Sequence, residues 1–269
     1  MIGERPSLEI PVGAEASHAD DWRARLEAIG RRAALAREPG PSGVSGPRLP
    51  LLLAELGTMA EVWRHAAKAR RGRVDAAERP RPVMLLPGFG THPGRMGRMR
   101  KGLDAAGHRV SDWGLGWNFG ADAERFGRLA SRIEAMARRE GEPLALVGWS
   151  LGGLYAREVA KVVPGSVALV ITMGSPFSGD RRANNAWRAY QAVTGHSVDA
   201  PPIGDDLAAK PPVPTVAMWS ARDGIIAPRA ACGRQGERDA HVAVRCTHLG
   251  FASHPAAIGA VLRLLDGFG

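Results

Sequence analysis

The stretch ALVGWSLGGLYA, residues 145–156, places one serine between glycines, directly after an apolar run and directly before a helical pattern. In the segment Gly148-Trp149-Ser150-Leu151-Gly152, the small residues permit a turn so tight that the serine backbone is strained and its hydroxyl is exposed above a strand end. A structural glycine turn is the alternative interpretation of the same five residues. The strand before the turn and the helix after it favour a nucleophilic Ser150.

Two residues further along the chain supply what such a serine needs. A serine hydroxyl is a weak nucleophile unless a base removes its proton, and a third group must orient that base. Asp223 follows the apolar run TVAMWSA at 215–221, and His248 follows HVAVRC at 241–246. We therefore predict that Ser150, Asp223 and His248 meet at one edge of a sheet, in this chain order.

Other acidic residues and histidines are weaker candidates for the two partner roles. The competing acids lie in loop segments that do not follow a strand end: Asp180, Asp205 and Asp206. His254 precedes a proline and is typical of a helix start, and His241 begins a strand. His92, beside GFGTHPG, either lines the site or lies on a surface loop.

Acyl transfer also places negative charge on a carbonyl oxygen, which two convergent backbone N–H groups stabilise. The residue after the nucleophile, Leu151, supplies one of them. The loop after the first core strand, in LLPGFG at 85–90, fits the second, because Gly88 lets the backbone approach. We predict the N–H groups of Phe89 and Leu151 as the oxyanion hole.

From residue 82 onward, apolar strand patterns alternate with helical ones, which predicts an α/β fold with a mostly parallel central sheet flanked by helices. The predicted strands cover 83–87, 108–113, 143–149, 167–173, 215–221 and 241–246, and the predicted helices cover about 121–139, 151–162 and the C-terminus. We predict residues 81–269 as the catalytic domain.

Residues 1–80 form a predicted N-terminal helical extension. One amphipathic helix carries an apolar face of Trp22, Leu26, Ile29, Ala33 and Ala36, and a linker at 39–50 follows it. A second helix carries Leu52, Leu56, Met59 and Trp63 on one face. That face is predicted to pack on the catalytic domain, and a role as a lid or an interfacial anchor is the alternative.

The chain carries a net charge of +9 and a sequence pI of about 10.6. Its arginines are scattered, with dense basic runs at 68–73 and 94–102, so the charge favours a solvated surface over a nucleic-acid interface. The basic N-terminal helices leave peripheral membrane contact as a prediction.

Cysteine content and targeting signals bear on four classes: disulfide-rich, metal-binding, secreted and membrane-spanning proteins. Cys232 and Cys246 are too few for a disulfide scaffold and lack metal-site spacing, and whether they form a bridge or two free thiols stays open. The N-terminal sequence has no secretory pattern, which predicts a cytoplasmic location. The uncharged stretch Val162–Gly179 is broken by prolines and glycines, so no transmembrane helix is expected.

Across about residues 82–269, five motifs together resemble the α/β-hydrolase fold family, and within it the compact lipases and esterases. The motifs are LLPGFG, GWSLGG, GSPFSG at 174–179, SARDGII and CTHLGF. The resemblance implies Ser150 as nucleophile, His248 as general base and then acid, Asp223 as its partner, and no metal or organic cofactor. One departure is Pro87, where many relatives carry a histidine before the glycine.

The resemblance and the triad predict hydrolysis of carboxylic esters through an acyl-enzyme. A long insertion at about 180–213 is predicted to form a small cap, since Ala183, Trp187, Tyr190 and Val193 can share a helical face. Candidate residues for an apolar acyl pocket are Phe89, Trp149, Phe177 and Trp187. The expected substrate is a small-molecule or lipid-like ester with an apolar acyl part.

Three alternatives to ester hydrolysis stay open. An acyltransferase would use the same three residues with an alcohol acceptor in place of water. A non-catalytic hydrolase-like module would bind a partner through the basic N-terminal helices. GLGWNFG at 114–120 lies between a strand and a helix like a nucleotide-binding loop, but its glycine spacing departs from that fingerprint.

Overall fold

The computed structural model describes residues 18–68, 75–120, 122–204 and 206–268, without the side chains of 18–21 and 59–68. The N-terminal sequence and most of the basic run at 68–73 lie outside these residues.

A six-stranded sheet forms the centre of the molecule, with strand order β2-β1-β3-β4-β5-β6 and every neighbouring pair parallel. The strands are β1 Pro82–Leu86, β2 Arg109–Asp112, β3 Leu144–Trp149, β4 Val167–Met173, β5 Thr215–Trp219 and β6 Ala240–Ala243. The predicted α/β class with a parallel sheet is confirmed.

Eight α-helices accompany the sheet in the described part of the chain. They are α1 His18–Ala36, α2 Leu49–Lys68, α3 Gly97–Ala105, α4 Ala123–Glu140, α5 Leu151–Val162, α6 Trp187–Thr194, α7 Pro228–Cys232 and α8 Pro255–Gly267. The separation of an extension at 1–80 from a catalytic domain at 81–269 stays a prediction.

Two hydrophobic cores lie on opposite faces of the sheet because successive strand residues point to opposite sides. On β1, Met84 and Leu86 join the core covered by α4 and α5, whereas Val83 and Leu85 join the core covered by α3 and α8. The central strands are therefore apolar on both faces and appear as unbroken apolar runs in the sequence.

Helix α3 overlaps the basic run at 94–102, for which the sequence analysis predicted no helix. Met99 and Leu103 on its inner face are fully buried in the core, and Arg100 and Lys101 lie on its outer face. The basic run is the solvated side of an amphipathic helix.

Helix α2 buries a different face from the predicted one. Leu56 is 73% exposed, whereas Glu55 and Thr58 are only 3% and 2% exposed. The prediction that Leu56 packs on the catalytic domain is wrong, because the carboxylate and hydroxyl of the neighbouring positions find hydrogen-bond partners there. The side chains of Met59 and Trp63 lie outside the described residues.

Helix α1 packs against α6, which lies in the insertion predicted to form a cap. Glu38, just beyond α1, accepts hydrogen bonds from Arg182 at 2.6 Å and from the side-chain amide of Gln191 at 3.1 Å. The Asn185 amide also donates to the Pro47 carbonyl at 3.0 Å. The segment between α1 and α2 is thus hydrogen-bonded to the insertion at 180–213.

The outer faces of α1 and α2 expose rows of large apolar side chains: Trp22, Leu26 and Ile29 on α1, and Leu49, Leu53 and Leu56 on α2. None of the helices, as far as the chain is described, has the length and apolar character needed to cross a bilayer. Contact with a membrane surface stays a prediction.

Candidate active site

Ser150 occupies the tight turn between β3 and α5. Its φ of 54° and ψ of −120° make it the one non-glycine residue with positive φ among those described. The Ser150 N–H donates to the Met173 carbonyl at the end of β4, at 2.8 Å. Because L-residues avoid this backbone region, the turn stores strain while it presents the hydroxyl above the sheet edge.

Glycines make room for this turn. A Cβ at Gly148 would lie 2.5 Å from the Gly153 nitrogen, and a Cβ at Gly152 would lie 2.6 Å from the Leu86 carbonyl carbon. Real Cβ atoms do not approach backbone this closely. The first turn of α5 therefore rests directly on the backbone at the end of β1, and the small residues around Ser150 avoid the clash as predicted.

Asp223 and His248 lie in the loops after β5 and β6 and bond to each other. The His248 Nδ1 lies 2.8 Å from the Asp223 Oδ2, and both side chains are buried. The other Asp223 oxygen accepts the N–H groups of Ile225 and Ile226 at 2.9 and 2.7 Å. With Nδ1–H donating to the carboxylate, the His248 Nε2 is the nitrogen free to accept a proton.

Ser150 follows β3 and His248 follows β6, so both lie at the carboxyl edge of the parallel sheet, with β4 and β5 between their strands. Trp149, one residue before the serine, donates its indole N–H to the His248 carbonyl at 3.1 Å. A Cβ at Gly174, which follows β4, would lie 3.1 Å from the His248 Nδ1. In the described residues, hydrogen bonds join His248 to Asp223 but not to Ser150. Catalytic hydrogen bonds commonly tighten only when substrate binds.

The loop after β1 passes against the serine. A Cβ at Gly88 would lie 3.4 Å from the Ser150 Cβ. Phe89 and Leu151 border the same cavity as Ser150. In the loops and turns that the structure describes, no backbone hydrogen bond occupies the N–H of either residue. That these two N–H groups form an oxyanion hole stays a prediction.

Asn118 fixes this loop, and the sequence analysis missed it. The fully buried Asn118 amide donates to the Pro87 carbonyl at 2.7 Å. Its backbone accepts from Gly90 at 2.7 Å and donates to Thr91 at 3.0 Å. The segment GLGWNFG therefore holds the loop after β1 in place, and no pattern in the sequence indicated this contact.

An apolar cavity opens beside Ser150 under the cap. Its lining residues are Phe89, Ser150, Leu151, Leu154, Pro176, Arg181, Asn184, Ala186, Trp187, Tyr190, Val198, Pro201, Ile203, Leu207 and Ile226. Nine of these fifteen residues belong to the insertion at 180–213. The rings of Phe89 and Tyr190, 5.4 Å apart, join the oxyanion loop to the cap.

The structure divides the four predicted pocket residues into two pairs. Phe89 and Trp187 line the cavity, whereas Trp149 and Phe177 are buried away from its wall. Trp149 is 1% exposed, and the Phe177 ring lies 4.0 Å under the guanidinium of Arg157. Burial lowers the pKa of Arg157 to about 10.

Glu55 of α2 contacts both loops that carry the acid and the histidine, which no pattern in the sequence indicated. Its carboxylate accepts the backbone N–H groups of Gly224 at 2.8 Å, His248 at 2.7 Å and Leu249 at 2.9 Å. A glutamate within a helix is usually predicted to be exposed, so this contact is revealed only by the tertiary structure.

Cys232 and Cys246 are free thiols, which resolves the open question about a bridge. Burial raises the pKa of Cys246, and the charges of Asp223 and Glu55 raise it further. His254 accepts the Ala256 N–H at the start of α8, as expected for a helix-start residue. His92 caps a 3-10 turn.

No family model matches the chain. Over 135 residues the chain is 31% identical to pimeloyl-[acyl-carrier protein] methyl ester esterase of Methylococcus capsulatus, a match that covers 45% of this chain and 46% of that protein. The chain therefore aligns with less than half of this curated relative.

Solved structures with a similar fold include 2-hydroxy-6-oxo-6-phenylhexa-2,4-dienoate hydrolase from Rhodococcus sp. strain RHA1, with a TM-score of 0.50, 16% identity, and coverage of 69% of this chain and 90% of that one. Another is Paleococcus ferrophilus monoacylglycerol lipase, with a TM-score of 0.48, 17% identity, and coverage of 72% and 97%. The parallel sheet, the serine turn after β3 and the first of these similarities agree, and the chain has the α/β-hydrolase fold.

Proposed function

We propose that the chain is a serine-dependent carboxylic ester hydrolase. Ser150 is the nucleophile, His248 is the general base and then the general acid, and Asp223 orients and stabilises His248. The observation that carries this proposal is the buried 2.8 Å hydrogen bond between His248 and Asp223, at the strand ends where the Ser150 turn opens into an apolar cavity.

In the first step, the Ser150 Oγ attacks the ester carbonyl carbon while its proton passes to the His248 Nε2. The carbonyl oxygen becomes an oxyanion between the N–H groups of Phe89 and Leu151. His248 then gives the proton to the leaving alkoxide, so that the alcohol departs and Ser150 carries the acyl group.

In the second step, water attacks the acyl-enzyme and His248 accepts its proton. The carboxylic acid leaves as the proton returns to the Ser150 Oγ, which restores the starting state. The Asp223 carboxylate stabilises the imidazolium in both steps, and two backbone N–H groups hold that carboxylate in place.

The cavity supports an apolar acyl chain as the part of the substrate that the protein binds. Its wall is dominated by aliphatic and aromatic side chains, with Trp187 and Tyr190 from the cap and Phe89 from the oxyanion loop. The curated relative is named as a methyl ester esterase, so methyl esters of uncharged acyl chains are suitable first substrates beside nitrophenyl esters.

Ser150→Ala tests the nucleophile. We expect kcat for nitrophenyl and methyl esters of increasing chain length to fall by about 10⁴- to 10⁶-fold, the loss typical of removing a catalytic serine. A fluorophosphonate should label the wild-type chain and fail to label the variant. Ser131→Ala, an exposed serine on α4, is the matched control and should retain labelling and turnover.

Labelling that persists in Ser150→Ala would contradict the nucleophile assignment. Labelling of the wild-type chain without turnover of any ester in the series would contradict hydrolysis and favour acyl transfer to an alcohol.

A further inference from the structure

Glu55 is a buried carboxylate outside the residues of the proposed chemistry. It is 3% exposed, and among the described residues no ion pair involves it. Burying a carboxylate is costly unless hydrogen bonds replace its lost water. The three backbone N–H groups of Gly224, His248 and Leu249 provide that replacement.

These three donors belong to the two loops that carry the acid and the base. Gly224 directly follows Asp223, and His248 itself donates through its backbone. The Glu55 Oε1 accepts from both Gly224 and His248, so a single oxygen atom joins the two loops. The relative position of Asp223 and His248 is thus tied to one side chain of α2.

Two further contacts make this placement specific. The Thr58 hydroxyl, one helical turn beyond Glu55, lies 2.7 Å from the hydroxyl of Thr247, the residue before His248. A Cβ at Gly224 would lie 2.8 Å from the Leu52 nitrogen, so α2 packs directly on the backbone next to Asp223. Helix α2 is therefore fitted to both loops.

We propose that Glu55 is a positioning residue for the His248–Asp223 pair, which rests on the function proposed above. It holds both loop backbones so that the His248 Nδ1 stays on Asp223 and the Nε2 stays directed toward Ser150. The N-terminal helix α2 is then a working part of the active site, although it lies outside the segment that resembles the hydrolase family.

The test compares Glu55→Gln with Glu27→Gln in the full-length chain. Glutamine keeps the size of Glu55, but its amide group faces one of the three N–H donors with another donor. Glu27 lies exposed on α1, so Glu27→Gln makes the same change of charge away from the site. We expect kcat per titrated active site to fall about 10- to 100-fold in Glu55→Gln with KM nearly unchanged, because the base is misplaced. Glu27→Gln should match the wild-type protein.

A proton NMR readout separates positioning from simple support of the fold. The Nδ1 proton between His248 and Asp223 should resonate far downfield in the wild-type protein, and we expect it to move upfield and broaden in Glu55→Gln. Wild-type kcat and an unmoved resonance in a folded Glu55→Gln protein would overturn the proposal.

The resonance needs no substrate, so this readout stands even if the wild-type chain hydrolyses none of the esters and the proposed function fails. If Glu55→Gln does not fold, Thr58→Val takes its place in both measurements. It removes the second bond between α2 and the His248 loop, and we expect a loss of about 3- to 10-fold in kcat. Wild-type values for Thr58→Val would then overturn the proposal.

Discussion

Ser150 and His248 follow strands at the same edge of the sheet, yet the chain holds them in different ways. The Ser150 turn is shaped by glycines within a few residues and by the ends of β1 and β4. The His248 loop is held from a distance by Glu55, which lies 193 positions away in the sequence. The side of the proposed nucleophile is held by residues close to it in the sequence, whereas the side of the proposed acid and base is held by helix α2.

The largest effect is expected on the nucleophile side, from Gly152→Ala. The added Cβ would lie 2.6 Å from the Leu86 carbonyl carbon and 2.7 Å from the Pro87 oxygen, and backbone cannot yield as a side chain does. We expect the free energy of unfolding to fall by about 3 kcal/mol, the upper part of the range for overpacking. Urea denaturation measures this loss, and ester turnover should fall with it.

Gly127→Ala provides the control of opposite sign. Gly127 lies on the exposed face of α4 with no atom within 4 Å of an added Cβ, so alanine should raise stability by about 0.5–1 kcal/mol. If Gly152→Ala kept the stability of the wild-type protein, the turn would not depend on the close approach of Gly152 to the backbone of Leu86 and Pro87. The contrast between the Ser150 side and the His248 side would then be lost.

A smaller effect is expected from Asn118→Ala, because Asn118 holds the loop beside Ser150 from a distant position in the sequence. Asn118→Ala removes the 2.7 Å bond to the Pro87 carbonyl, which should lower the free energy of unfolding by about 1–3 kcal/mol. We expect kcat to fall about 10- to 100-fold with little change in KM, because the Phe89 N–H shifts away from the oxyanion.

Steady-state kinetics measure this effect by comparing kcat of Asn118→Ala with that of Trp117→Ala. Trp117 is an exposed neighbour on the same loop and serves as the control. Equal kcat values for the two variants would mean that Asn118 does not position the oxyanion loop.

The smallest effect is a difference in the rate of cysteine alkylation near His248, which involves no change in activity. Burial raises the pKa of Cys246, and the charges of Asp223 and Glu55 raise it further. Since the thiolate is the reactive form, iodoacetamide at pH 8 should modify half-buried Cys232 at least about tenfold faster than Cys246. Mass spectrometry after timed exposure measures both sites, with urea-unfolded chain as the reference in which both react.

Modification of native Cys246 at the rate of Cys232 would show that the loop before His248 opens readily. The acid–base side would then not be held closed by α2.

The sequence predicted the parallel sheet, the serine turn and the order of acid and histidine because these depend on short patterns. Apolar runs mark strands that are buried on both faces, and GWSLG is readable within five residues. The loops carrying Asp223 and His248 were found because each directly follows such a run.

The supports of the site could not be predicted in the same way. Hydrophobic periodicity placed Leu56 of α2 inside, but the helix instead buries Glu55 and Thr58, whose partners are backbone groups in distant loops. Asn118 likewise bonds to backbone 31 positions away. A polar residue bound to a distant backbone leaves no periodic signal, so its role appears only once the chain is folded.

The positive φ of Ser150 has a cost for the whole molecule. Glycine adopts that backbone region readily, and a non-glycine residue there gives up about 1 kcal/mol or more of folding free energy. The chain at rest is therefore less stable than an inactive version of itself with glycine at position 150 would be. Selection for stability alone would favour glycine at position 150. The serine found there therefore reflects a trade-off between stability and reactivity.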